Sequence, residues 1–422
     1  MNSRWLTSCL LGLSLISSAL AVEPSPERQW VSSTGTKIIA RAVDLSDQGL
    51  VTLETSDGRN IKLKFRQLSK PDQEFLLRFF KRAEEANKNT GPKPGTVKGP
   101  IKADDDTSYY VYIPSSYRKE IRSSVMIWTQ SDGGRRSTLE PLREAADLTG
   151  MVIATPVEAR DEEQSTLANN LSHSTDVLRD LRMKLSINGS AVYYGGDDTG
   201  GAAALFNSMK NKSAGTFTVS AYFTPQMNGS NAGYHFMAGE ATDYNRYLTA
   251  WSAAKFGDNG THFLYAGSRD RVDSDTATTG ILWMFTQSLY GNLASRSHEA
   301  AAFQKRFVPW IEDLAETSPG EALYLTDVLT ERCAIRGGFK SFLESVEAEL
   351  NKQEEAIDHL GGREALSTFS RKFLADYGNL YTPLKNHDPA KFTRMTERMA
   401  EEYDKAELLQ PVFKKLEQPT VN

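Results

Sequence analysis

Between Ser108 and Leu293 the chain alternates short apolar runs with longer stretches of helical spacing, and this alternation limits its fold more than any other feature. The apolar runs include "SYYVYIP", "SVMIWTQ", "MVIATPV", "AVYYGG", "FTVSAYF", "YHFMAG" and "THFLYAG". Runs without polar interruption are typical of strands buried on both faces, and a helix between two strands carries the chain back along the sheet. The sequence therefore predicts an α/β domain with a mostly parallel sheet over residues 105–294.

A separate small β unit is predicted over residues 28–80. Apolar and polar residues alternate there in short runs, separated by turn signals at Thr34-Gly35, 47–49 and Asp57-Gly58. An Asp-Gly pair between alternating runs is typical of a β-hairpin. So few residues can bury a core only by curling into a barrel, which a short helix starting near Pro71 would cap.

This β unit resembles the first homology domain of the Sla cytoskeletal adaptors, an SH3-like barrel with bacterial versions in exported proteins. The resemblance rests on "RQWVSSTGTKI", "VTLETSDGRNIKLKF" and "QLSKPDQEFL", which hold Trp30, Asp57-Gly58 and Leu68-Ser69 at matching spacing. It implies a short protein or peptide ligand for the barrel. The alternative is a spacer in which Trp30 and Phe65 are core residues only.

The N-terminus carries the pattern of an export signal. Arg4 precedes an apolar run that ends in Ala19-Leu20-Ala21, a small-x-small cleavage site, so residues 1–21 are predicted to be removed. Cleavage would remove Cys9 and leave Cys333 alone, which rules out an intrachain disulfide in the mature chain. No later run is apolar enough to span a membrane. We expect an exported protein, periplasmic or secreted.

The rest of the chain divides into a linker and a helical region. Residues 81–104 are rich in Lys, Gly and Pro and read as a linker, and residues 299–422 show helical spacing that predicts three to five helices. A net charge of −5 provides no basic surface for a phosphate backbone, so the sequence gives no indication of nucleic-acid binding.

The segment "VLRDLRMKLSINGSAVYYGGDDTGGAAAL" has the order helix, turn, strand, sharp turn and helix. With the strand order around it, this segment resembles the secreted esterases of the α/β-hydrolase superfamily over about residues 105–293. Gly196 and Gly200 match the two glycines of the G-x-S-x-G elbow, which allow a strained turn that exposes the tip residue. The tip is serine in that family and Asp198 here.

The resemblance also implies positions for the other two members of a catalytic triad. Asp243 falls in the loop that bears the acid, and Asp270, in "AGSRD", falls where the histidine is expected. In a second registration Asp270 is the acid and His298 is the base. The remaining histidines considered, His173, His235 and His262, are interpreted as structural.

The oxyanion-binding positions are altered as well. Gly133 and Gly134, in "QSDGG", together with Thr199 after the tip, match residues whose amides bind the oxyanion in such esterases. Asp132 stands beside them, and its charge would repel an oxyanion. Three converging carboxylates at 198, 243 and 270 could instead hold a divalent cation such as calcium, although no metal-loop spacing supports this, and no cofactor is predicted.

Two functions follow from these residues. A carboxylate that attacks an ester gives an anhydride, so the exchange of serine for Asp198 predicts the loss of ordinary esterase chemistry. The first hypothesis is an exported binding or structural protein with a degenerate hydrolase domain. The alternative is an active hydrolase in which Asp198 attacks a saturated carbon, as in haloalkane dehalogenases and epoxide hydrolases, and Asp270 or His298 activates the water.

Overall fold

The structure is a computed structural model that describes residues 25, 27–45, 50–55, 59–88, 93–103, 106–159, 167–222, 233–243, 245–268, 271–332, 335–375 and 388–417. The predicted export signal, the turn at 47–49, the turn at Asp57-Gly58, Asp270 and Cys333 lie outside these residues. The chain forms two compact units, Met1–Gly91 with Arg118–Arg122, and Pro92–Tyr117 with Ser123–Asn422.

The first unit contains a four-stranded antiparallel sheet and one helix. Its strands, in sheet order, are β1 (Arg28–Val31), β2 (Lys37–Leu45), β3 (Leu50–Glu54) and β4 (Asn60–Lys64), and α1 (Lys70–Lys88) follows a 3₁₀ turn. An isolated bridge joins Ser32 to Leu68. The predicted strands are present, whereas closure into an SH3-like barrel stays a proposal.

The core of this unit uses the predicted side chains. Trp30 is fully buried, donates its indole N–H to the Ala40 carbonyl at 2.8 Å and packs edge-on against Phe75. Asp72, also buried, accepts hydrogen bonds from the Arg28 side chain and the Val31 amide, both at 2.8 Å. These contacts fasten α1 to the sheet.

The second unit is built on an eight-stranded sheet. Its order is β12-β11-β10-β9-β7-β8-β6-β5, and β6 alone runs against the other strands. The strands are β5 (Thr96–Lys102), β6 (Ser108–Ile113), β7 (Ser123–Thr129), β8 (Val152–Pro156), β9 (Ile187–Asp197), β10 (Gly215–Val219), β11 (Tyr234–Glu240) and β12 (Gly260–Tyr265). The predicted mixed α/β fold with a mostly parallel sheet is confirmed.

Helices cover both faces of this sheet, as the uninterrupted apolar runs require. Every residue of β7, β8 and β10 is buried, and along β7 Met126 and Trp128 face one core while Val125 and Ile127 face the other. The helices are α2 (Arg143–Thr149), α3 (Leu167–Lys184), α4 (Asp198–Asn211), α5 (Arg246–Lys255) and α6 (Ser274–Gly291).

Six further helices follow in the described part of the chain, one more than the upper end of the predicted range. They are α7 (Leu293–Thr317), α8 (Pro319–Arg332), α9 (Gly338–Leu350), α10 (Glu354–Ala375), α11 (Pro389–Glu402) and α12 (Gln410–Glu417). Phe303, Phe307 and Phe339 join the core on one sheet face, whereas Phe392 and Phe413 pack with Ala241 and Leu264, near the carboxyl ends of β11 and β12. Within the described residues, no helix combines the length and the apolar character that a membrane crossing needs.

The stretch interpreted as a linker, residues 81–104, contains regular structure at both ends. Helix α1 continues to Lys88, and Thr96–Lys102 forms β5, the outer strand of the large sheet. The sequence "TVKGPIK" conceals this strand because Gly99 and Pro100 interrupt its apolar pattern, and proline is tolerated at a sheet edge, where no ladder hydrogen bond is lost.

Candidate active site

The turn from β9 into α4 forms the elbow that the sequence indicates. Strand β9 ends at Asp197, α4 begins at Asp198, and Asp198 has a left-handed φ of 41°. That conformation is costly for most residues, and aspartate tolerates it better than most. The chain therefore holds a carboxylate at a strained tip, at the amino end of a helix, where the backbone dipoles favour negative charge.

Two glycines make this turn possible. A Cβ atom on Gly196 would collide with the Thr129 carbonyl oxygen and with Gly200, and one on Gly200 would collide with the same carbonyl. A Cβ on Gly201 would lie 2.5 Å from the Cβ of Ala221. The elbow is thus pressed against the end of β7, and any side chain at these positions would push α4 away from the sheet.

Asp197, directly before the tip, holds the neighbouring loop in place. One carboxylate oxygen accepts a hydrogen bond from the Ser131 amide at 2.8 Å, and the other accepts one from the Gln130 side chain. Its side chain is buried, and desolvation raises the pKa of Asp197 to about 7, with smaller contributions from the charges of Asp132 and Asp198. Near neutral pH this carboxyl group therefore holds a proton for part of the time.

The raised pKa of Asp197 predicts that the contribution of this residue to the stability of the folded protein falls as the pH rises. At Asp197 the folded chain retains a proton that the unfolded chain releases from pH 3.8 upward, so the contribution of this residue to the free energy of unfolding falls between about pH 4 and pH 7. A shift of about 3 pKa units limits this loss to about 4 kcal/mol. Asp197→Asn lacks this contribution, and its amide can form the same two contacts once the Gln130 amide turns over. We therefore expect its free energy of unfolding to rise relative to that of the parent protein across this interval. Urea unfolding of both proteins at pH 5 and pH 8 measures the difference, and parallel pH profiles would contradict it.

The amides of the predicted oxyanion loop already have acceptors. The Gly133 N–H donates to the Gln130 carbonyl at 3.2 Å, and the Gly134 N–H donates to the Pro156 carbonyl at 2.9 Å. The oxyanion-binding role that the resemblance implies for these two glycines therefore does not match the hydrogen bonds present. The carboxylate of Asp132 is 57% exposed and pairs with Arg135 at 3.1 Å, so it points to solvent rather than into the loop. Thr199 lies in the first turn of α4, and its hydroxyl is buried without a hydrogen-bond partner among the described residues.

The structure brings two of the three predicted aspartates to the same edge of the sheet. Asp198 follows β9 and Asp243 follows β11, and because these strands are parallel and separated only by β10, the two residues are about 10 Å apart across the sheet. Asp243 is 8% exposed and accepts a hydrogen bond from the Asn245 amide at 3.0 Å. Asp270 follows β12 but lies outside the described residues.

His298 is placed at the opposite edge. Its neighbour Glu299 accepts a hydrogen bond at 2.5 Å from Ser124, the second residue of β7, whereas the elbow packs on Thr129, the last residue of that strand. Five residues of extended chain separate the two edges by about 16 Å. His298 is also exposed. The registration that made His298 the base is therefore wrong, because α6 has carried the chain back across the sheet before this residue.

The other described histidines have structural contacts, as predicted for three of them. Burial lowers the pKa of His235 and of His262 to about 3, so both rings are neutral at physiological pH. The contacts are His173 with Thr107 at 2.8 Å, His235 stacked on Phe256, His262 with Thr249 at 3.0 Å, and His359 with Glu321 at 3.4 Å. His387 lies outside the described residues.

A residue from the far end of the chain reaches the same edge as the elbow. Glu240, the last residue of β11, is 3% exposed and pairs with Lys415 of α12 at 3.2 Å. The same ammonium group donates to the Gly267 carbonyl at 2.7 Å, just beyond β12. The helical region, which carries no predicted role, thus neutralises a buried carboxylate beside the candidate site.

A metal site at this edge has no support in the described residues. Within them, no three His, Cys, Asp or Glu side chains lie close enough together to hold an ion. Of the three aspartates predicted as calcium ligands, the structure describes Asp198 and Asp243. These two follow β9 and β11, which are separated by β10. Calcium takes six to eight oxygen ligands, so these two residues alone do not make a site.

The clamp formed by Asp197, Gln130 and Ser131 was not predicted from the sequence. A signal was present, since Asp197 is a charged residue at the end of a strand that is buried from Ala191 onward. Buried carboxyl groups require hydrogen-bond donors, and the loop after the neighbouring strand is the nearest source of them.

Comparison with known proteins adds only distant structural likenesses. No protein-family model and no curated protein matches the chain. A putative dipeptidyl aminopeptidase IV from Bacteroides ovatus is 13% identical, with a TM-score of 0.35 over 62% of this chain and 43% of its own. An α/β hydrolase from the metagenome of Lake Arreo, Spain, is 14% identical, with a TM-score of 0.35 over 58% of this chain and 92% of its own. An esterase from Pyrobaculum calidifontis is 12% identical, with a TM-score of 0.35 over 55% of this chain and 91% of its own.

Proposed function

We propose that the second unit is a hydrolase in which Asp198 is the nucleophile and the substrate is attacked at a saturated carbon. The observation that carries the proposal is the left-handed φ of 41° at Asp198, between glycines packed against the end of β7. Backbone strain of this kind persists only where the surrounding structure imposes it, and it is concentrated at functional sites.

The two adjacent carboxyl groups have environments suited to different roles. Asp197 is enclosed by Gln130 and Ser131 and retains a proton up to about pH 7, whereas Asp198 lies half-buried at the amino end of α4. A pair of neighbouring acids in unlike environments is a common arrangement in enzyme active sites. In this proposal Asp198 supplies the attacking carboxylate, and Asp197 holds the loop beside it.

The chemistry that fits this site is displacement of a leaving group from an alkyl carbon. An oxygen of Asp198 forms a bond to the carbon, the carbon–halogen bond breaks, and halide leaves with the bonding pair. Water then cleaves the resulting ester at its carbonyl carbon, which releases the alcohol and a proton and restores Asp198. The second step needs a base. With His298 at the opposite edge, Asp270 remains the base in this proposal.

Trapping of the alkyl ester tests the first step separately from the second. Mature protein carrying Cys333→Ser, which removes the competing thiol, is incubated with a short alkyl bromide and analysed by intact-mass and peptide mass spectrometry. We expect one alkyl group per chain, located at Asp198 and absent from Asp198→Asn. Asp132→Asn is the matched control, since it makes the same chemical change at an exposed carboxylate on the neighbouring loop. Halide release beyond one equivalent that is lost in Asp198→Asn shows turnover, and an unmodified Asp198 without halide release would overturn the proposal.

A second candidate function is an exported binding or structural protein without catalysis. The hydrogen bonds of the Gly133 and Gly134 amides favour it, because they leave those amides with acceptors other than a substrate oxygen. It predicts neither alkylation nor halide release in the same experiment. In this case the N-terminal unit, with its proposed barrel, would bind the partner after export and cleavage near Ala21.

A further inference from the structure

A concave site lies near the amino ends of the parallel strands, on the side of the sheet unit opposite the elbow. It is a cavity of about 470 Å³ between the last turns of α3, the first half of β9 and the chain that follows α4. Its volume is within the range of small-molecule binding pockets, which is about 300–1,000 Å³. None of its lining residues belongs to the elbow or to the loops beside it.

The charge around this cavity is positive. Arg179, Arg182 and Lys212 line it, and no aspartate or glutamate does. Arg179 pairs with Asp176 at 2.7 Å, whereas Arg182 and Lys212 form no ion pair within the described part of the chain. Two cations without a carboxylate partner at one concave site favour an anion there.

A buried tyrosine beside the cavity leaves this positive charge uncompensated. Tyr194 is fully buried, and its oxygen accepts a hydrogen bond from the Asn211 side chain at 3.1 Å. Its hydroxyl proton has no acceptor among the described residues. Burial raises the pKa of Tyr194, and the hydrogen bond from Asn211 and the charge of Arg182 oppose that rise. The tyrosine therefore stays protonated and adds no negative charge beside Arg182 and Lys212.

Apolar side chains complete the walls. Leu178 and Val192 are buried lining residues, and Met183, which also lines the cavity, is 71% exposed. We propose that this cavity binds a small organic anion, a carboxylate or phosphate group on a short apolar chain. Arg182 and Lys212 hold the charged group, and Leu178, Met183 and Val192 contact the chain.

Calorimetric titration of the full mature chain tests this site with three probes: octanoate, octyl phosphate and inorganic phosphate. We expect binding of octanoate or octyl phosphate in the micromolar to millimolar range and weaker binding of inorganic phosphate. Comparison of the two alkyl probes identifies the preferred charged group. Arg182→Gln and Lys212→Gly should each weaken binding about tenfold, the effect of losing one charge-assisted hydrogen bond.

The design of these variants separates binding from folding. Glycine suits position 212 because Lys212 has a left-handed φ of 50°. Lys210→Gln is the matched control, since Lys210 is an exposed lysine on α4 that does not line the cavity. Absence of binding by all three probes, undiminished affinity in both cavity variants, or equal affinity for inorganic and octyl phosphate would overturn the proposal. Because the cavity is remote from Asp198, none of these outcomes bears on the trapping experiment.

Discussion

Replacement of Gly200 by alanine is expected to lower the free energy of unfolding of the sheet unit by about 3 kcal/mol, the upper part of the usual range for overpacking. The added methyl group would overlap the carbonyl oxygen of Thr129 and come within 2.8 Å of its carbonyl carbon. Both atoms belong to the backbone of a central, fully buried strand, so they cannot turn aside as a flexible side chain could. Helix α4 must move instead, and Asp198 at its first residue moves with it.

The matched control for this change is Gly189→Ala. Gly189 lies in the same strand that leads to the elbow, but no atom stands within 4 Å of the position its Cβ would take. We expect its stability to stay within about 0.5 kcal/mol of the parent protein. Urea denaturation followed by tryptophan fluorescence measures both variants. Equal stability of the two would show that the elbow is not pressed against β7 as described.

The second large effect is expected at the opposite edge, where Arg296 is buried. Its guanidinium group donates to Glu299 at 2.7 Å and 2.9 Å, to Ser124 at 3.1 Å and to Tyr193 at 3.2 Å. In Arg296→Met the carboxylate of Glu299 would lose its charged partner in a largely buried position. Breaking a buried ion pair from one side costs about 3–5 kcal/mol, so a loss of this size is expected.

Removal of both charges should recover most of that loss. Arg296→Met combined with Glu299→Leu leaves no buried charge unpaired, and apolar replacements of whole buried pairs are often neutral or stabilising. The control pair is Lys352 with Glu349, whose side chains are 67% and 72% exposed, and Lys352→Met should change stability by less than about 1 kcal/mol. Thermal and urea unfolding of the parent protein, Arg296→Met, the double variant and Lys352→Met measures these differences in stability. A double variant as unstable as the single one would contradict the role assigned to this pair.

The parts of the fold that the sequence predicts well are those where burial forces a pattern. Strand β7 and strand β8 are buried at every position, and their apolar runs, Val125–Trp128 and Val152–Ala154, show it in the sequence. Strand β5 was not predicted because an edge strand needs no such pattern, and Gly99 and Pro100 disguise it. The sharp turn after β9 leaves a sequence signal for a related reason, since only glycine fits where Gly196 and Gly200 meet a neighbouring backbone.

The candidate site is harder to predict because its contacts are made between distant segments. The partners of Asp197 lie 66 and 67 positions earlier in the chain, and nothing in the local sequence connects them. The position of His298 follows from simple geometry. Helix α6 has 18 residues and spans about 27 Å, enough to carry the chain from one edge of the sheet to the other before His298 is reached.

The bond between Glu240 and Lys415 has a consequence for the order in which the molecule matures. The two residues are 175 positions apart, and the lysine stands in the final described helix. During synthesis the sheet strands emerge first, with Glu240 still lacking its counter-charge, and the rim of the sheet beside Asp198 is complete only after residue 415 has left the ribosome. A nascent or proteolytically shortened chain would therefore have all the strands of the sheet but would lack the lysine that pairs with Glu240.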